Sequence, residues 1–108
     1  MIYQIEPTSR FLKLVKRLCR KYPSLLDDVD QLTHELKIHP ITGTAIGMGC
    51  YKIRLAIKSK GKGKSGGGRV ITYVYVAKTT VYLLTIYDKS EREDISDKEL
   101  KELLKGIE

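Results

Sequence analysis

RVITYVYVAKTTVYLLTIY, residues 69–87, contains two runs dense in β-branched and aromatic residues, 69–76 and 81–87, separated by the short AKTT. Side chains of this kind suit the pleated surface of a sheet, and so short a connection makes the pair an antiparallel hairpin. Neither run alternates cleanly, so both of its faces are expected to be at least half buried. Just upstream, YKIRLAIK (51–58) does alternate: Tyr51, Ile53, Leu55 and Ile57 fall on one side, Lys52, Arg54, Ala56 and Lys58 on the other. A period of two places an apolar and a basic face on the same strand. Three consecutive strands therefore form a meander, and the remaining chain has to supply what covers it.

Working toward the N-terminus, residues 1–5, MIYQI, read as a short strand. Pro7, Thr8 and Ser9 carry helix-start chemistry, with Thr8 or Ser9 as N-cap. Phe11, Val15, Leu18 and Tyr22 then repeat at steps of 4, 3 and 4, a helical stripe with basic residues on the remaining face. Pro23 ends this helix, because its ring disfavours helical geometry in the residue before it. Ser24 caps a second helix, with Asp27 and Asp28 near its positive end and Leu25, Val29, Leu32 and Leu36 as its stripe. This helix stops near His39-Pro40, and the short turn between the two makes an antiparallel helical hairpin. Residues 41–50, with Gly43, Gly47 and Gly49, read as a loop. Past the meander, Ser96 caps a short helix with Glu99 at a capping-box position and Leu100, Leu103 and Leu104 on one side. The order is β-α-α-β-β-β-α in a single domain, 1–108, of class α+β: an antiparallel sheet with a helical hairpin on one face.

The chain carries a formal charge of +7. Between Lys52 and Arg69 lie seven basic residues and no acid, and the rest of the chain is balanced, so the whole excess belongs to this segment. A second basic run occupies 10–21. Such asymmetry points to a polyanionic partner, nucleic acid first. At the heart of the excess is KSKGKGKSGGGR, residues 58–69. It is not a Walker A loop: Gly63-Lys64-Ser65 supplies an ending, but the required first glycine falls on Lys58, and a strand follows rather than a helix. By composition it is a linker. Yet it joins two strands of one sheet and is long for a hairpin, and it is bracketed by basic strand residues, Lys52 and Arg54 before it and Arg69 within the next strand. Lysines alternating with glycines allow the backbone to follow a phosphate chain while each ammonium reaches an oxygen.

Other chemistries find no support. Cys19 and Cys50 are too few for a disulfide framework and have no metal-ligand spacing around them. His34 and His39 have no paired Cys or His, so a zinc site is not expected. No motif sets a Ser or Cys beside both a His and an acid. The first twenty residues are too charged for a signal peptide, and no apolar run approaches a membrane span, so a cytoplasmic location without membrane contact is expected. Catalysis, if present, has to use Lys, Arg and Tyr without metal or cofactor. Among Tyr73, Tyr75, Tyr82 and Tyr87, most suit core filling. Tyr87, near the end of the last strand and followed by Asp88 and Lys89, is the exception: its phenol is placed to stack on a base or exchange a proton.

Three segments together carry a resemblance: Cys50-Tyr51-Lys52-Ile53-Arg54-Leu55, the Gly/Lys loop ending in Gly-Gly-Gly-Arg69-Val-Ile-Thr-Tyr73, and Leu83-Leu84-Thr85-Ile86-Tyr87-Asp88-Lys89. The combination resembles the RelE/ParE superfamily of toxins from type II toxin–antitoxin modules, nearest its HigB-like branch. The resemblance implies a ribosome-dependent, metal-independent endoribonuclease (an mRNA interferase) that cuts translated messenger RNA by 2′-hydroxyl attack, inhibits translation, and is held in check by a cognate antitoxin. Lys52 and Arg54 match the basic pair of the family's strand, and Arg69 matches the arginine opening the next one. Tyr87 and Lys89 fall where relatives place catalytic or stacking groups. The implied catalytic set is Lys52, Arg54, Arg69 and Tyr87. Lys58, Lys60, Lys62, Lys64, Tyr73 and Lys89 are implied as RNA- or ribosome-binding. Some relatives have Arg or His where this chain has Ser90. The ParE branch leaves a gyrase poison as an alternative, and a non-catalytic RNA- or ribosome-binding module is a third.

Overall fold

A computed structural model describes residues 2–107. Eight elements follow in the order β1 (Gln4–Pro7), α1 (Ser9–Cys19), α2 (Leu25–Ile38), β2 (Thr44–Gly47), β3 (Cys50–Leu55), β4 (Gly68–Tyr75), β5 (Thr80–Asp88) and α3 (Asp97–Leu104). Short 3₁₀ turns occupy Lys58–Lys60 and Val76–Lys78. The five strands form one sheet in the order β1-β5-β4-β3-β2. The α+β class, the helical hairpin and the β3-β4-β5 meander match the sequence expectations.

Two expectations need correction. The sheet is mixed rather than antiparallel, because β1 runs parallel to β5, with Gln4 opposite Thr80 and Pro7 opposite Leu83. Pro7 is tolerated there since β1 is an edge and its missing N–H costs no ladder bond. The glycine-rich stretch expected as a loop contains β2, which pairs antiparallel with β3 through Thr44–Lys52, Ala45–Tyr51 and Gly47–Cys50. Its turn uses left-handed backbone at Gly47, Met48 and Gly49, so the glycines that mark a loop there build a tight hairpin instead.

The helices form as their stripes dictate. Thr8 caps α1 by accepting from the Phe11 amide at 3.2 Å, and its hydroxyl donates to the Leu83 carbonyl at 3.0 Å, which fastens the helix start to β5. Phe11, Val15, Leu18 and Tyr22, with Leu25, Val29, Leu32 and Leu36 of α2, bury against Ile53, Leu55, Val70, Val74, Val81, Leu83 and Ile86. That is the main core. Ser24 stands at the N-cap of α2 as expected, but its hydroxyl caps no amide of the helix: it donates to the Asp28 side chain and engages Ser59. Ser96 does cap α3, accepting from the Glu99 amide at 3.2 Å.

A second, smaller core lies on the opposite face, where Leu100 of α3 meets Cys50, Ile71, Leu84 and Tyr87. It explains the broken alternation of VYLLTIY. The β4–β5 register shifts between Ile71 and Thr72, and the irregularity turns Leu84 to the α3 side although Leu83 and Ile86 serve the main core. Burial pushes the Cys50 thiol up to about 11, which keeps it protonated and inert. Both cysteines are free.

Candidate functional site

The meander sets the site by register. Arg54 of β3 stands opposite Arg69 of β4, and Arg69 opposite Tyr87 of β5. Because Ile53, Leu55, Val70 and Ile86 serve the hairpin core, the period of two turns Arg54, Arg69 and Tyr87 to the other face, with Lys52 two residues along. Directly opposite side chains on one face lie about 5 Å apart at Cβ, and like charges so placed are destabilising unless something anionic relieves them.

The four side chains differ in their surroundings. Arg54 is exposed and has no ion pair among the described residues. The Lys52 ammonium donates to Asp94 at 3.2 Å. Arg69 is only 6% exposed, and its guanidinium donates to the carbonyls of Lys64, Ser65 and Gly68 at 3.0–3.2 Å. Tyr87 is 5% exposed, and its hydroxyl has no hydrogen-bond partner among the described residues. The Arg92 guanidinium lies over its ring, 5.0 Å from the centroid, and is gripped from behind by both carboxylate oxygens of Glu99. Burial, reinforced by the negative charge of Asp94 and offset in part by Arg92 and Arg69, raises the Tyr87 pKa, so the phenol keeps its proton at neutral pH.

The Gly/Lys loop is tied down at both ends. At its start, the Lys58 amide donates to Asp28 at 3.1 Å and the Ser59 amide to the Ser24 hydroxyl at 2.8 Å. At its end, Arg69 holds the Lys64 and Ser65 carbonyls, and the Lys89 amide donates to Gly67 at 3.1 Å. Lys58, Lys62 and Lys64 are exposed, whereas the Lys60 side chain is 8% exposed and its ammonium donates to Asp88 at 2.5 Å. Lys60 therefore spends its charge inside the protein. A cleft of ≈ 410 Å³ gathers Lys52, Arg54, Lys58 and Lys64 on one side, with Asp28 and Glu35 of α2 on the other.

One of the expected binding residues, Tyr73, lies apart. Tyr73 stacks with Tyr75 and Tyr82, at 5.9 and 6.1 Å between centroids, four residues and so about 13 Å along β4 from Arg69. Lys89 pairs with Glu93 at 3.0 Å. Arg92, Asp94 and Asp88, which pack on or hold the site residues, were not singled out in the sequence. Asp88 alone had a usable signal, an acid closing an otherwise apolar strand. Nothing in the spacing of SEREDIS reveals that Arg92 folds back onto Tyr87. Among the described residues, no cluster of three His, Cys, Asp or Glu could hold a metal ion, and no helix is long and apolar enough to cross a membrane.

Residues 24–106 match the family described as the RelE toxin of the RelE/RelB toxin–antitoxin system. Among solved structures, the chain is similar to a doubly arginine-substituted RelE toxin of Escherichia coli in the free state, with 19% identity, both chains covered in full and a TM-score of 0.65. It is also similar to the RelBE2 toxin–antitoxin complex of Mycobacterium tuberculosis, with 16% identity over 82% of this chain and 99% of that one, TM-score 0.61. The intact E. coli RelBE complex matches at 21% identity over 80% and 95% of the two chains, TM-score 0.60. At such identities the structural likeness speaks to the fold.

Proposed function

This chain belongs to the RelE toxin family of toxin–antitoxin modules, and from that premise we propose that it is a ribosome-dependent endoribonuclease that cuts translated messenger RNA. The observation that carries the reading is the Arg54–Arg69–Tyr87 row, with Lys52 beside it, whose three cations belong to the one segment that holds all of the chain's excess charge.

In the proposed reaction the 2′-oxygen of the message forms a bond to the adjacent phosphorus as the bond from phosphorus to the 5′-oxygen breaks. The products are a cyclic phosphate and a free 5′-hydroxyl. Lys52 or a loop lysine, reacting as the uncharged amine, receives the proton lost by the 2′-hydroxyl, and Tyr87, kept neutral by burial, returns one to the leaving oxygen. Arg54 stabilises the charge that grows on the phosphorane, since a guanidinium grips two oxygens and stays charged. Arg69, with its guanidinium in the loop carbonyls, supports this reading as a holder of the loop and as the second positive charge of the row. Lys58, Lys62 and Lys64 line or flank the path of the RNA backbone, with Lys89 beside the loop's end and Tyr73 farther out. The basic face of α1 suits ribosomal RNA. The proposal includes a cytoplasmic location, a cognate antitoxin that neutralises the basic face, and a place in the HigB-like branch.

The test is cleavage of a defined message in a purified translation system. Cuts should appear only with ribosomes and fall steeply with Arg54→Ala. Intact message in the presence of ribosomes would overturn the reading, and gyrase-dependent DNA breaks in its place would select a ParE-like toxin.

A further inference from the structure

One buried group has no part in that chemistry. The Asp88 carboxylate is 0% exposed and lies where the end of α1, the start of the Gly/Lys loop and the end of β5 meet. Its Oδ1 accepts from the Lys60 ammonium at 2.5 Å, the Ser90 amide at 3.0 Å and the Ser90 hydroxyl at 2.8 Å. Its Oδ2 accepts from the Tyr22 hydroxyl, with the Lys21 ammonium 3.8 Å away. Lys60 also reaches the Ser90 hydroxyl at 3.3 Å. A carboxylate this deep is tolerable only when fully hydrogen-bonded and paired, and removing one partner leaves the other charge stranded. Lys60 thus differs in kind from the other loop lysines despite the even KxKxKxK spacing.

The position of this network matters. Eight residues separate Lys60 from Arg69, five of them glycine, and the intervening lysines make no ion pairs among the described residues. Such a chain is flexible on its own, and a flexible rim pays an ordering cost whenever it binds. Asp88 fixes one foot through Lys60, and the Arg69 guanidinium fixes the other. We propose that Asp88 is a positioning residue: with Lys60 and the Tyr22 hydroxyl it forms a buried latch that holds the Gly/Lys loop as a preformed rim and presents Lys58, Lys62 and Lys64 to the RNA backbone. This rests on the reading that the basic face binds RNA.

Charge and latch predict opposite signs for one substitution. Asp88→Asn removes a negative charge, so by charge alone it tightens binding to oligouridine; loss of the latch weakens it. We expect weaker binding, by about tenfold, with KM for message cleavage raised by a similar factor and kcat little changed. Limited trypsin digestion supplies a readout that needs no RNA, because the loop offers several lysines. Cuts after Lys62 and Lys64 should come about tenfold faster in Asp88→Asn, Lys60→Met and Tyr22→Phe than in the parent protein, and no faster at Lys64 in Lys62→Met. Tyr22→Phe deletes only a hydroxyl and serves if the charge variants do not fold. Unchanged loop cleavage in Tyr22→Phe and Lys60→Met, or tighter oligouridine binding by a folded Asp88→Asn, overturns the latch. Failure of the parent protein to bind RNA or cut messages sinks the functional reading instead, and the digestion still decides the latch.

Discussion

At the scale of single residues, the site separates groups that hold the structure from groups that are free to act. Arg54 is exposed and unpaired among the described residues, so Arg54→Ala should change stability by no more than about 0.5 kcal/mol. Message cleavage should nevertheless fall by about 10²–10³-fold, the cost of losing one donor to a developing oxyanion. A denaturant titration beside a single-turnover assay checks both halves. Tyr87 permits a sharper contrast. Its hydroxyl is buried without a partner, so Tyr87→Phe removes an unsatisfied group and should stabilise the fold by up to about 1 kcal/mol while cleavage drops. A variant both less stable and fully active would contradict the assignment of Tyr87 as proton donor. Lys52, Arg54 and Arg69 are legible in the sequence as a basic set. Their division of labour is not, since it depends on Asp94 and on loop carbonyls distant in the chain or hidden in the backbone.

At the scale of elements, the glycine loop is the part whose composition misleads most. Five glycines and four lysines describe a linker, and the same residues form a rim fastened at both feet. Gly67 shows why a glycine is required: a Cβ there would lie 2.1 Å from the Leu55 carbonyl oxygen, backbone that cannot step aside. Gly67→Ala should therefore destabilise the protein by about 2–3 kcal/mol, whereas Gly61→Asn, at a left-handed position facing open space, should cost less than about 1 kcal/mol. Paired thermal melts decide it. The stripes of α1 and α2 were readable because each helix buries one continuous face. β2 was not, since four residues with three nearby glycines carry no periodicity, and they pair only because β3 offers an edge.

At the scale of the whole molecule, the sheet has two unlike faces, and the chain's charge is arranged around the second. Carboxylates of the segment after β5 meet cations from two other elements, Asp94 with Lys52 of β3, and Glu99 and Glu91 with Arg10 and Arg17 of α1, while Arg92 of the segment itself pairs with Glu99. Acid tests the most buried carboxylate. Burial alone would raise the Asp88 pKa, but hydrogen bonds from Lys60, Tyr22 and Ser90 outweigh it and hold the group well below the usual carboxylate range. A pKa lower in the folded than in the unfolded state gives stability that is complete above about pH 4 and lost as pH falls toward the folded value. Denaturant titrations from pH 7 to pH 2 should show that loss, with a shallower slope in Asp88→Asn; equal slopes would show that other carboxylates govern it. By itself the sequence determined the class, the two helices, the meander and the basic excess, because periodicity and charge are local properties of the chain. Only the tertiary structure decided that β1 lies parallel to β5, that one lysine of four turns inward, and that the segment after β5 folds back over Tyr87. Each of those rests on contacts between residues far apart in the chain, where what a side chain meets, rather than what it is, sets its role.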